Sequence, residues 1–186
     1  MRRLAVFNSV TLDGYFTGSG GDLSWAHAAE DPEWNAFVEG NASGGGILLF
    51  GRITYEMMAS FWPTPNAKKA YPVVADRMNG LPKFVFSRTL DKVAWENTTL
   101  LKGDLAGEVR KLKSQPGEGM VILGSGGIVS QLSQAGLIDE FQFVVVPVVL
   151  GKGRTMFEGI KDKRALKLTG TRSFGNGNVF LTYTTA

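Results

Sequence analysis

The sequence predicts a three-layer α/β/α protein with a central, mostly parallel mixed sheet and an antiparallel hairpin at its C-terminus. Three observations carry that reading. Short apolar, β-branched runs recur at strand length, helix start and stop signals fall between them, and the C-terminal stretch is broken by Gly175-Asn176-Gly177. Strand and helix signals in alternation imply parallel pairing with helices on both faces, because a parallel crossover needs a long return connection. Asn-Gly tolerates positive φ and marks a tight hairpin turn.

The strand runs are residues 4–10, 47–50, 83–86, 120–123 and 141–149. Most are nearly continuous in apolar residues, as expected of strands covered on both faces. Asp31-Pro32-Glu33 combines an N-cap with proline at the first helical position and leads into Trp34, Phe37 and Val38. Tyr71-Pro72 opens a second helix that Gly80 ends. Asp104 caps a third, with Leu105, Val109 and Leu112 on one face. A fourth leaves the glycine turn at 124–127 and runs through Ile128, Leu132 and Ala135 to Gly136. Segments 166–174 and 178–185 are the two arms of the hairpin.

The 186 residues fit one domain spanning 1–186, and the 44% apolar and 20% charged content is enough for a full core. Net charge is +3 with no long block of like charges, so no nucleic-acid arm is indicated. There is no cysteine, which removes disulfides, thiol nucleophiles and thiolate metal sites, and no metal site is expected. Residues 4–10 are too short for a signal-peptide core, and no stretch approaches the roughly 20 apolar residues of a membrane span. A soluble cytoplasmic protein is the expectation.

Four segments place chemistry-bearing residues where strands end. In the first, Met120–Leu123 runs into Gly124-Ser125-Gly126-Gly127 and then a helix from Ile128. Such a turn offers backbone N–H groups and a positive helix end to a phosphate, although a plain strand-to-helix turn reads the same way. It departs from the G-x-G-x-x-G fingerprint. In the second, a buried strand ends at Gly51, and Arg52, Ile53 and Thr54 open a helix. A cation at a helix start is unfavourable unless an anion joins it, yet an ordinary exposed arginine fits too. In the third, Ser87-Arg88-Thr89 follows the strand at 83–86. Two arginines with hydroxyls, and no ribose-binding acid, favour a dinucleotide bearing a 2′-phosphate at the carboxyl edge of the sheet. In the fourth, Asp13-Gly14 follows the first strand, either as a simple turn or as a polar group beside the chemistry. Trp25, Trp34 and Trp62 with Phe61 could line an apolar cleft, and core packing accounts for them equally well. His27, the sole histidine, reads as a surface residue.

Together these segments resemble the stand-alone relatives of the reductase domain in bacterial riboflavin-biosynthesis deaminase–reductases, within the dihydrofolate reductase superfamily. The resemblance rests on Ser9-Val10-Thr11-Leu12-Asp13-Gly14-Tyr15, Gly51-Arg52-Ile53-Thr54-Tyr55-Glu56, the glycines at 124–127, Gln134-Ala135-Gly136-Leu137-Ile138-Asp139-Glu140 and Pro147-Val148-Val149-Leu150-Gly151-Lys152-Gly153. It implies a dihydrofolate-reductase-like fold, NADP(H) as cofactor and hydride transfer to a small pyrimidine, pterin or ribosylamino substrate. It implies that Val10, Gly51, Arg52, Ile53, Thr54, Ser87, Arg88, Thr89, Gly124, Ser125, Gly126, Gly127 and Ile128 hold the cofactor. Asp13 is then the candidate catalytic group, Tyr15, Trp25 and Phe61 face the substrate, and the loop at 13–16 covers the nicotinamide. Members of the family are commonly homodimers. The chain departs from the pattern at Leu123, where the riboflavin reductases carry an acid, and neither Asp31 nor Glu33 aligns firmly with the acid of dihydrofolate reductases. The deaminase half with its zinc ligands is absent from the sequence. A non-catalytic NADP-binding sensor or scaffold, or a structural domain with no nucleotide site, would share most of these features.

Overall fold

The computed structural model describes residues 1–26, 29–44 and 46–186; His27 lies outside them. Six strands form the parallel body of the sheet: β1 (Leu4–Thr11), β3 (Ile47–Gly51), β4 (Lys83–Phe86), β5 (Thr98–Leu101), β6 (Met120–Leu123) and β7 (Glu140–Val146). A C-terminal hairpin of β9 (Leu166–Ser173) and β10 (Val179–Thr185) adds on antiparallel, giving the order β5-β4-β3-β6-β1-β7-β10-β9. A separate two-stranded ribbon pairs β2 (Tyr15–Thr17) with β8 (Arg154–Thr155). The helices are α1 (Pro32–Ser43), α2 (Arg52–Phe61), α3 (Pro65–Ala70), α4 (Pro72–Gly80), α5 (Leu105–Ser114) and α6 (Gly126–Gln134).

The period-2 alternation of strands sorts the core into two layers. Leu4, Val6, Ile47, Leu49, Met120 and Ile122 face α5 and α6, where Val109, Leu112, Ile128, Val129 and Leu132 cover them. Leu48, Phe50 and Val85 face the other way, against Tyr55 of α2 and Val74 and Met78 of α4, with Val38 of α1 beside them. The three-layer α/β/α expectation therefore holds. The caps foreseen for two helices are present: Asp31 accepts from Glu33 and Trp34 N–H at α1, and Asp104 from Gly107 N–H at α5.

Three differences from the sequence reading have physical causes. The run at 141–149 ends as a strand at Val146, because Pro147 cannot donate to the ladder. The edge strand β5 was not foreseen; Thr98-Thr99 is polar, and as an edge strand it is covered less than its neighbours. Helix α3 is a single short turn-rich element held by Thr64 Oγ1, which accepts from Ala67 N–H.

Lys83 is a charged group deep in the amino edge of the sheet, only 1% exposed, at the start of β4. Its ammonium donates to the carbonyls of Asn79 and Leu81 and stands 4.6 Å from the centre of the Trp95 ring. Burial outweighs the pull of Glu96 and brings its pKa from 10.5 down to about 8. Between those two values the unfolded chain binds the extra proton, so stability rises with pH there and the burial cost is felt in full below the lower one. Urea unfolding should show a gain on the order of 3 kcal/mol from pH 8 to 10.5, and Lys83→Met should flatten that slope.

Candidate functional site

The site is built where strands end at one level. Ile122 of β6 pairs with Leu49 of β3 and Val6 of β1, so two residues further on Gly51, Gly124 and Asn8 stand side by side; Gly51 is itself paired with Phe86 of β4. With about 4.8 Å between strands, these four positions, the ends of β3, β4 and β6 beside mid-β1, span about 14 Å of the carboxyl edge. From this edge the chain leaves β3 into α2 on one face and leaves neighbouring β6 into α6 on the other. That divergence opens a crevice between the two helix starts, the position where open α/β sheets take ligands.

Two side chains lock the crevice walls together. Ser125 Oγ accepts from Gly51 N–H at 2.9 Å, while Ser125 N–H donates to Thr54 Oγ1 at 3.0 Å. Ser125 holds φ 57, a left-handed conformation that costs a non-glycine residue energy and is retained here by those bonds. Gly124 also has φ 58, and a Cβ there would stand 2.8 Å from Thr54 Cγ2, so no larger residue fits beside the lock. Asn8, buried on β1, adds a third tie by donating from Nδ2 to the Gly124 carbonyl at 3.0 Å.

Because Ser125 and Gly51 are the residues before α6 and α2, this arrangement leaves both helices without a side-chain cap. Their first N–H groups and the positive ends of their dipoles point at the crevice. Gly127 is exposed with open space where its Cβ would be. Gly126 is buried, for the ring of Phe16 packs directly on it: an added Cβ would lie 2.5 Å from Phe16 Cζ. Phe16 belongs to the β2–β8 ribbon, and the Arg154 guanidinium lies 5.9 Å from its ring centre. At the next strand end Ser87 Oγ accepts from Thr89 and Leu90 N–H, which fixes the turn and leaves Arg88 exposed. Among the described residues no carboxylate pairs with Arg88, whereas Arg52 holds Glu56 at 3.0 Å on the surface of α2.

Thus Gly51, Arg52, Ile53, Thr54, the glycines and serine of 124–127 and Ile128 lie together around one crevice, and Ser87, Arg88 and Thr89 stand one strand away. Val10 lies on β1, packed against the core layer of α5 and α6. These residues fit a phosphate-bearing dinucleotide: two uncapped helix starts, an open glycine and an unpaired arginine are chemically matched to its anionic groups.

Other candidates sit elsewhere or serve otherwise. Asp13 is not placed as a proton donor. Its carboxylate accepts from the Thr11 hydroxyl at 2.6 Å and from Leu150 and Gly151 N–H at 3.1 and 2.7 Å. The Thr11 hydroxyl first, then those amides, hold its pKa below the usual carboxylate value. Asp31 is likewise consumed, by Trp34 and Glu33 N–H at α1 and by Asn176 N–H of the hairpin turn, and its pKa is also lowered. Glu33 pairs with Arg172 at 2.7 Å on the surface. Trp25 is 8% exposed and packs with Val144 and Val146, so it belongs to the core. Phe61 ends α2, about 14 Å along the helix from Arg52. It stacks on Trp62, whose carbonyl accepts from Asn79, beside Lys83 at the amino edge. Phe61 is therefore removed from the crevice, while Tyr15 stays near it on the ribbon.

A concavity of about 580 Å³ at that amino edge is lined by Trp62, Thr64, Lys68, Asp76, Asn79 and Glu96. Most of its polar groups are already engaged, Lys68 with Asp76, Asn79 with Trp62 and Trp95, and Thr64 with Phe61 and Ala67. The carboxyl-edge crevice, with its donors open, is the better site. Asn8 was missed in the sequence, although it had left a signal as a polar residue on the inward face of an apolar strand; Phe16 was expected only as part of the covering loop at 13–16, not as a ring on Gly126.

The lock predicts a measurable cost. Thr54→Val preserves shape but strands the buried Ser125 N–H, and thermal unfolding should report a loss of about 1–3 kcal/mol.

Residues 2–180 match the family described as the RibD C-terminal domain. YyaP of Bacillus subtilis, an uncharacterised protein, is 29% identical over 183 residues, covering 98% of this chain and 94% of its own. YwjB of the same organism is 27% identical over 175 residues, covering 94% and 93%. A putative riboflavin biosynthesis protein of Shewanella shares the fold with TM-score 0.79 at 22% identity, covering 99% of both chains. The Thermotoga maritima diaminohydroxyphosphoribosylaminopyrimidine deaminase/5-amino-6-(5-phosphoribosylamino)uracil reductase does so at TM-score 0.70 and 14% identity, with this chain spanning 57% of its length. The chain belongs to the RibD C-terminal domain family.

Proposed function

We propose that the protein is an NADPH-dependent reductase acting on a small pyrimidine, pterin or ribosylamino compound. The observation that carries this reading is the pair of uncapped helix starts, α2 and α6, locked on opposite walls of one crevice by Ser125 and Thr54. Family membership and the names of the solved relatives, a pyrimidine reductase-like protein of Corynebacterium diphtheriae among them, support the reaction class.

In this reading Gly126 and Gly127 N–H, with Ile128 behind them, receive the pyrophosphate. Arg52 and the first turn of α2 flank it, Arg52 exchanging Glu56 for phosphate. Ser87, Arg88 and Thr89 form the corner for the 2′-phosphate. When bound, the cofactor supplies a hydride from C4 of its nicotinamide. Tyr15 and Phe16 on the ribbon exclude bulk water and fix the orientation of the reacting partners. Asp13, Asp31 and Glu33 are all occupied, so the proton comes from water entering at the crevice mouth. A cytoplasmic single-domain homodimer completes the proposal. Leu166, Leu168 and Phe157, each more than a third exposed, provide an apolar face for the second copy.

The occupied carboxylates favour one other reading, a nucleotide-binding sensor that has lost turnover. Loss of NADPH absorbance with an aminouracil ribosylamine, dihydrofolate or a pterin supports the reductase; tight NADPH binding with no oxidation of any of them supports the sensor. No binding of NADPH at all overturns both. The 2′-phosphate corner has its own test. By titration calorimetry Arg88→Ala should weaken NADPH by about 1.5–3 kcal/mol and leave NADH nearly unchanged. Equal losses for both cofactors would move the 2′-phosphate elsewhere.

A further inference from the structure

Two loops leave the carboxyl edge side by side, one after β1 and one after β7. They are joined along their whole length. Leu12 N–H donates to the Val148 carbonyl at 2.9 Å, Asp13 accepts from Leu150 and Gly151, and Tyr15 and Thr17 pair with Thr155 and Arg154. Gly153 makes the last contact possible, since a Cβ there would stand 2.2 Å from the Thr17 carbonyl oxygen. Between the paired Tyr15 and Thr17 this ribbon carries Phe16, whose ring rests on Gly126 at the start of α6.

We propose that Asp13 is a positioning residue whose carboxylate fastens the loop after β1 to the loop after β7, so that the two move as one lid over the start of α6. The carboxylate is the only junction between the Leu12–Val148 bond and the ribbon that is made by a side chain among the described residues. It draws on both loops at once: the Thr11 hydroxyl donates to Oδ1, while Leu150 and Gly151 N–H converge on Oδ2. Thr11 Oγ1 in turn accepts from Tyr15 N–H at 3.0 Å, carrying the tie from Asp13 to the ribbon. A carboxylate suits this place because every group facing it is a donor; an amide would turn its NH2 toward a donor and lose an acceptor. Leu12 and Val149, 67% and 68% accessible, stand one on each of the two fastened loops.

The proposal deepens the reductase reading, since the lid closes the same crevice, but its first test needs no cofactor. Amide hydrogen exchange on the free protein should show Leu150 and Gly151 exchanging about tenfold faster or more in Asp13→Asn, with Tyr15 and Phe16 accelerating in parallel. Thr11→Val, which keeps the buried shape and removes the hydroxyl, should give the same coupled pattern. Faster exchange at 150–151 with no change at 15–16 would overturn the proposal, because the carboxylate would then merely cap one loop. No change at either would overturn it as well. The second measurement is NADPH affinity: Asp13→Asn should weaken it severalfold while the melting temperature stays within a few degrees, an outcome that general loss of structure does not give. An equal NADPH affinity in wild type and variant also counts against the lid. Absence of NADPH binding in the wild type would fell the reductase reading alone, leaving the exchange result to judge the clamp.

Discussion

Everything at the functional edge depends on one hydroxyl and one amide: Ser125 reaching across to Gly51 and Thr54. Strands β3 and β6 are adjacent, yet their chains depart to opposite faces, so nothing in the sheet ladder itself controls the width of the gap between α2 and α6. The lock does. It also explains why Ser125 tolerates a left-handed backbone. The hydroxyl that would ordinarily cap its own helix is turned sideways to hold the neighbouring loop, which leaves the start of α6 open, while α2 is open because its N-cap residue, Gly51, has no side chain. Open helix starts of this kind favour a ligand that brings negative charge.

The contrast with the rest of the molecule sharpens this. Helices α1, α3 and α5 have Asp31, Thr64 and Asp104 at their starts, each accepting from the first turn. At the amino edge even the buried Lys83 is satisfied by two carbonyls and an aromatic face. Helix α4 also starts without a side-chain cap, but Pro72 at its first position has no N–H to satisfy, so it offers one open donor fewer than α2 or α6.

Much of the architecture was legible because each parallel strand is covered on both faces and so reads as an apolar run between glycine or proline signals. The elements that escaped are those whose existence depends on partners distant in sequence. Strand β5 forms because β4 offers it an edge, and the ribbon forms because Tyr15 and Thr17 meet Arg154 and Thr155 across more than half the chain. The crevice residues were legible for the same reason the strands were: glycines, hydroxyls and arginines gather just beyond each apolar run. Aromatic residues were not. Trp25 and Phe61 look alike in sequence, and only packing shows that one is core and the other lies at the far end of its helix.

Acidic residues misled for a more specific reason. A carboxylate near the first strand or first helix is what a proton donor would look like, and Asp13, Asp31 and Glu33 each fit by position. What sequence does not reveal is how many donors converge on each. Asp13 meets a hydroxyl and two amides and Asp31 three amides, donors that favour the charged form, while Glu33 is tied to the Arg172 guanidinium. A carboxylate stabilised as an anion by its own fold holds structure well and carries no proton to donate at neutral pH. In this chain Asp13, Asp31 and Glu33 therefore act as fasteners that hold loops, a helix start and the hairpin in place.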